Sequence, residues 1–150
     1  GRSGGSIICT ASVAGLRPAP KQSTIVELTL ASQIAQSECS QACGGLNAGS
    51  VYFVALEKDT FLGCVAVARR SFGSPFISNL YVVPSRRREG IGRQLMSFAV
   101  NRVLGEDSVR LVCNPSLVGY FRALGWSIEN PNVTGSEGAT SIVMVLHLKP

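Results

Sequence analysis

The chain has 150 residues, 45% of them hydrophobic, a net charge of +5 and five cysteines. That is enough for one buried core and short for two, and no apolar run approaches the ~20 residues of a membrane span. The charge is uneven: residues 1–22 carry +3, residues 86–93 carry +3, and the remainder carries −1. A nearly neutral body with one basic turn suits a small polyanion bound at one place, not a nucleic acid tracked along a face.

Residues 1–22 are rich in Gly, Ser, Ala and Pro, contain no acid and show no periodicity. They read as a flexible basic leader, a vector-derived tail or the remnant of an organellar (plastid or mitochondrial) targeting segment, with one domain following over 23–150. Ile25 to Leu30 reads as a first strand. Ser32 to Cys43 reads as a helix stopped by Gly44-Gly45. Ser50–Leu56 and Thr60–Ala68, separated by Glu57-Lys58-Asp59, form a hairpin, and Phe76 to Val83 is the next strand after Gly73-Ser74-Pro75. A helix over about Gly90–Leu104 follows, with Ile91, Leu95, Phe98, Ala99 and Val103 at helical spacing. Ser108–Cys113 is a strand and Pro115–Leu124 a short helix with proline in its first turn. Trp126–Glu129 and Ser141–Leu148 are the last strands, joined by a polar loop holding Gly135 and Gly138.

Cys39 and Cys43 stand one helical turn apart, but no second pair or histidine cluster completes a zinc set, and Cys64 and Cys113 fall in apolar runs as small core residues. No metal is expected. Scattered, odd-numbered cysteines fit a reducing intracellular compartment.

The densest chemistry lies in Pro84-Ser85-Arg86-Arg87-Arg88-Glu89-Gly90-Ile91-Gly92-Arg93. Proline closes the preceding strand, and the glycines fall where a loop becomes a helix. A helix N-terminus exposes unpaired N–H groups and a partial positive charge, and glycine lets an anion approach the backbone closely. The turn lacks the lysine of a Walker loop, and Leu95 stands where a Rossmann fingerprint needs glycine. Arg87-x-x-Gly90-x-Gly92 after Leu80-Tyr81-Val82-Val83-Pro84 resembles the coenzyme A pyrophosphate loop of the GNAT superfamily of acetyltransferases. Asn114 to Trp126, with Asn114 and Gly125 in place and Trp126 as the aromatic, resembles a second motif of that family. The element order β-α-β-β-β-α-β-α-β-β matches too, with one helix fewer near the start than many members carry.

The resemblance implies an α/β fold: a central twisted mixed sheet whose parallel strands four and five splay apart, flanked by helices. It implies an N-acetyltransferase that moves acetyl from acetyl-CoA to a primary amine, with no metal and no membrane or nucleic-acid partner, as a monomer or homodimer. By the same resemblance Leu80, Tyr81 and Val82 offer backbone groups to the pantetheine and thioester. Arg87, Arg88, Glu89, Gly90, Ile91, Gly92 and Arg93 hold the pyrophosphate, Asn114 touches the pantetheine arm, and Phe121 lies beside the cofactor. Arg86 falls outside the pattern and is expected to face solvent. The family's tyrosine position is filled by Phe121, which has no proton to give. Tyr120, about 100° around the helix, is then either a general acid or a packing aromatic. Ser116 and Cys113 are local substitutes. Glu27, Glu57 and His147 are the side chains considered as base, with Asn79 near the bulge and water-mediated deprotonation as the alternative. A coenzyme A-binding sensor or scaffold without efficient turnover is the competing reading.

Overall fold

The computed structural model describes residues 23–68, 73–134 and 140–149. The leader, Cys9, Phe72 and the loop with Gly135 and Gly138 lie outside them. The strands are β1 (Ser23–Glu27), β2 (Ser50–Glu57), β3 (Thr60–Ala68), β4 (Phe76–Val82), β5 (Ser108–Cys113), β6 (Ser127–Thr134) and β7 (Thr140–His147); the helices are α1 (Gln33–Cys43), α2 (Ile91–Asn101) and α3 (Val118–Ala123). The strands form one sheet in the order β1-β2-β3-β4-β5-β7-β6, in which β4 and β5 run parallel and the other neighbours antiparallel. This is the expected mixed sheet and element order.

Side chains alternate across the sheet, as a period of two requires. On one face Phe53, Ala55, Leu62, Val65, Leu80 and Val82 meet Leu95, Met96 and Ala99 of α2 and Phe121 of α3. On the other, Tyr52, Val54, Phe61, Cys64 and Ala66 meet Leu28 and the α1 residues Ala35 and Cys39. The Phe53 ring sits edge-on to Phe98 at 5.1 Å, and the hairpin aromatics Tyr52 and Phe53 are core residues.

Local chemistry sets the ends of α1. The Ser32 hydroxyl accepts from the Ala35 N–H at 3.2 Å, and Gly44 closes the helix in the left-handed region at φ 70°. Elsewhere the observed bounds differ from the expected ones. β1 stops at Glu27 and Leu28–Leu30 form a 3-10 turn, because Leu28 must bury while Leu30 stays exposed. α2 ends at Asn101, beyond which the chain continues in turns that bury Val103. The helix expected from Pro115 is a 3-10 turn over Pro115–Leu117 followed by α3. β6 is longer than expected, running through Pro131 with register shifts at Ile128/Asn130 and Asn130/Val133. As the edge strand it tolerates proline.

Candidate active site

Parallel pairing between β4 and β5 is brief. Phe76 faces Arg110 and Ile77 faces Leu111, and no pair follows among the described residues. Beyond that point β4 from Ser78 to Val82 makes no ladder pair with β5. The cause lies at Asn79, whose φ of 57° breaks the extended conformation, and the β3–β4 register shifts opposite it between Cys64 and Ala66. Asparagine tolerates this left-handed position better than most residues. The Ser78 hydroxyl donates to its Oδ1 at 3.1 Å and the Cys64 thiol donates to its carbonyl at 3.5 Å, fixing the bulge. A bulge of this kind re-aims the strand that carries it.

Gly63 holds β4 in place from the other side. A Cβ there would overlap the Tyr81 carbonyl oxygen and press on the Val82 Cα and a Leu95 methyl. Gly63→Ala is therefore expected to displace the β4 segment that borders the gap. A calorimetric scan should show a midpoint lower by about 3–10 °C, the range for overpacking a tight core. An unchanged midpoint would mean that the strand gives way freely.

Leu80 and Val82 point into the core, 2% and 1% exposed, so whatever they offer a ligand is backbone. Tyr81 faces the other way and stacks on Phe61 at 6.4 Å. β4 then leads through Val83 and a 3-10 turn over Pro84–Arg86 to α2. Arg88 and Gly90 both adopt left-handed backbone, at φ 71° and 86°. Gly90 is the N-cap of α2 and brings no side-chain cap. The N–H groups of Ile91, Gly92 and Arg93 open the helix without intrahelical acceptors; the first such bond runs from Gln94 N–H to the Gly90 carbonyl at 3.0 Å. Ile91 and Gly92 are buried, and Arg88 and Arg93 are exposed.

The arginines divide their work, and one expectation is corrected. Arg86 does not face solvent. Its guanidinium donates to Glu57 at 2.8 Å and to Glu89 at 3.0 Å, with 24% of its side chain exposed. The neighbouring Arg86 holds the Glu57 carboxyl below its ordinary range, which leaves it a poor base. Glu89, expected among the pyrophosphate residues, turns its carboxylate onto Arg86, so a ligand at the helix start would meet its backbone. Arg87 folds back on β4: its Nε donates to the Val82 carbonyl at 2.8 Å and its guanidinium lies 5.6 Å from the Tyr81 ring centre. That carbonyl, expected to serve pantetheine, is engaged by Arg87 here.

At the end of β5, Asn114 accepts from the Ser116 N–H at 2.9 Å and so starts the turn into α3. Its carboxamide nitrogen is not part of that cap. Burial pushes the Cys113 thiol up to about 11, which makes it a weak proton donor. Phe121 is 1% exposed and sits edge-on to Tyr120 at 5.1 Å and to Trp126 at 6.3 Å. Tyr120 is half-buried and packs against the same core. His147 pairs with Ser108, at the end of β5 remote from the gap. Glu27 instead lines a cleft of about 410 Å³ with Leu28, Leu46, Asn47 and Tyr52, whose hydroxyl accepts from the Asn47 N–H at 2.9 Å.

The opposite face brings together what the sequence kept apart. Cys64 of β3 joins Cys39 and Cys43 of α1, with all three sulfurs within 4.8 Å of one another. The neighbouring Cys39 and Cys64 thiols lower the Cys43 thiol from its ordinary value, and Cys39, beside Cys43, is raised. The sequence signal was present only in the helical pair; the third member lies 21 residues beyond Cys43 in an apolar run.

A short parallel pair followed by a helix whose start carries no side-chain cap is the arrangement that the sequence resemblance implied. A family model of the acetyltransferase (GNAT) domain matches residues 48–128, more than half of the chain, which belongs to that family. Solved structures agree on the fold. An aminoglycoside 6'-N-acetyltransferase complexed with coenzyme A is 16% identical with a TM-score of 0.66, covering 85% of this chain and 98% of its own. A GNAT family acetyltransferase from Elizabethkingia anophelis with acetyl-CoA bound is 16% identical at 0.61, covering 86% and 100%. The ribosomal-protein-S18-alanine N-acetyltransferase from Escherichia coli is 16% identical at 0.63, covering 85% and 95%. No curated protein sequence matches the chain. Among the described residues no helix is long and apolar enough to cross a membrane.

Proposed function

We propose that the chain transfers the acetyl group of acetyl-CoA to a primary amine by direct attack within a ternary complex. The observation that carries this reading is the gap between β4 and β5 opening beside the uncapped start of α2. The pyrophosphate sits on the N–H groups from Arg88 to Arg93, with Arg88 and Arg93 as mobile countercharge. The pantetheine runs between the strands, where Leu80 and Tyr81 offer backbone groups and Asn114 its free amide nitrogen. A β4 N–H turned into the gap stabilises the oxyanion of the tetrahedral intermediate.

The acceptor must lose a proton before it attacks. Glu57 is held in its ion pair and His147 stands at the wrong end of β5, so water carries that proton away. Glu27, in the cleft two to three strands from the bulge, meets the acceptor's ammonium as it enters. The departing thiolate takes its proton from solvent, because Phe121 has none and Cys113 holds its own too tightly. Tyr120→Phe should accordingly leave kcat within about threefold of the parent in a steady-state assay, against the ~10²–10⁴ loss that removal of a general acid gives. A loss of that larger size would place the Tyr120 hydroxyl in the mechanism. Four free cysteines among the described residues and an acetyl-CoA requirement both suit a reducing intracellular compartment.

Burial of a hydroxyl-free Phe121 at the family's tyrosine position favours one second reading, a coenzyme A-binding sensor with little turnover. Thiol release from acetyl-CoA, followed with small amines, aminoglycosides, lysine peptides and peptides with free N-termini, separates the two. Amine-dependent release supports the transferase; tight coenzyme A binding with no release above background across the panel supports the sensor.

A further inference from the structure

Three thiols that acetyl transfer does not use meet between α1 and the sheet. Cys39 and Cys43 leave one face of α1, as residues four apart must. Cys64 rises from β3 on the face that α1 covers. The sulfurs of Cys43 and Cys64 are 3.6 Å apart, and all three lie within 4.8 Å of one another. A zinc ion bound tetrahedrally at about 2.3 Å from each thiolate sets its sulfurs about 3.8 Å apart. The triad therefore has the spacing of a ligand set, and all three cysteines are free.

We propose that Cys39, Cys43 and Cys64 form a Zn2+ site that fastens α1 to the sheet. Thiolates select soft ions over magnesium or calcium. Among soft ions, three thiolates leave a charge of −1 around Zn2+ and −2 around Cu+, and a buried site favours the smaller residue of charge. Cys39 and Cys64 are fully buried and Cys43 is partly exposed, so the fourth position opens beside Cys43 for water or a small solute. The metal stays divalent, the three ligands bind as thiolates, and the thiol protons pass to the buffer. Cys64 gives up its hydrogen bond to the Asn79 carbonyl on binding, so the ion also bears on the bulge that opens β4 from β5. The site is independent of whether the chain acetylates an amine.

The test uses the full chain with Cys9→Ser, reduced and stripped of metal, titrated with Zn2+ against a chromophoric chelator and with Co2+ as a spectroscopic probe. One Zn2+ per chain is expected, with a thiolate-to-cobalt charge-transfer band that Zn2+ abolishes. Cys43→Ser should weaken Zn2+ binding by more than about 100-fold, beyond the loss that outer partners of a metal ligand give, while Cys113→Ser leaves it unchanged. Zn2+ should also protect Cys43 from alkylation in the chain that retains it, a readout that needs no variant at the triad. A Co2+ spectrum without thiolate charge transfer, a Cys43→Ser affinity equal to the parent's, or alkylation of Cys43 at the same rate with and without Zn2+ would each overturn the site.

Discussion

Gly90→Asp is expected to weaken coenzyme A binding by about 10²–10³ while leaving the fold nearly as stable as before. Gly90 is the N-cap of α2 at φ 86°, where any side chain is strained by about 1 kcal/mol. An aspartate there brings a carboxylate to the positive end of the helix, which favours the free protein and offsets that strain. The same carboxylate takes the place that the pyrophosphate needs. Two like charges about 5 Å apart at an effective dielectric near 20 repel by about 3 kcal/mol, or more than two decades in affinity. Gly90→Ala carries the strain without the charge and should lose only about tenfold. Isothermal titration of the three proteins with coenzyme A separates these contributions. Equal losses in the alanine and aspartate variants would mean that no anion sits at the helix start.

Phe121→Ala should have the largest effect on stability. The ring is 1% exposed and contacts Tyr120 and Trp126 edge-on, so its removal leaves a void among buried side chains. Truncating a buried phenylalanine costs about 3–5 kcal/mol, against a total stability of about 5–15 kcal/mol. For a chain of this size the thermal midpoint should fall by about 10 °C or more. Coenzyme A should still raise the midpoint of the variant, because the helix start proposed to bind it belongs to α2. A shift of less than about 2 °C on truncation would show that the ring is not a structural pillar and reopen a place for it beside the cofactor.

Periodicity and capping made most of the fold legible. Ser32 and Gly44 bounded α1 correctly because the serine side chain and the left-handed glycine act within a few residues of themselves. Leu28 to Leu30 misled because a short apolar run reads the same as strand or turn until its burial is known. The strand read as Trp126–Glu129 runs on through Asn130-Pro131 because an edge strand accepts residues that an inner strand rejects.

At the site, the glycine turn was readable because a helix start needs particular residues in sequence. The partners of its arginines were not. Arg86 reaches Glu57, 29 residues away across the hairpin, and three consecutive arginines carry no periodicity to say which turns inward. Asn79 was placed near the bulge by the family resemblance, but its left-handed backbone was not legible in the sequence. Cys64 belongs to the same class, because its partners come from a helix packed on the far side of the sheet.

The most direct measurement compares acetyl-CoA, coenzyme A and pantetheine as ligands of the unmodified chain by isothermal titration. If the turn from Arg87 to Arg93 holds the pyrophosphate, acetyl-CoA and coenzyme A bind with similar affinity, and pantetheine, which lacks the phosphates, binds at least about 100-fold more weakly. Pantetheine binding as tightly as coenzyme A, or none of the three binding at millimolar concentration, would contradict the account.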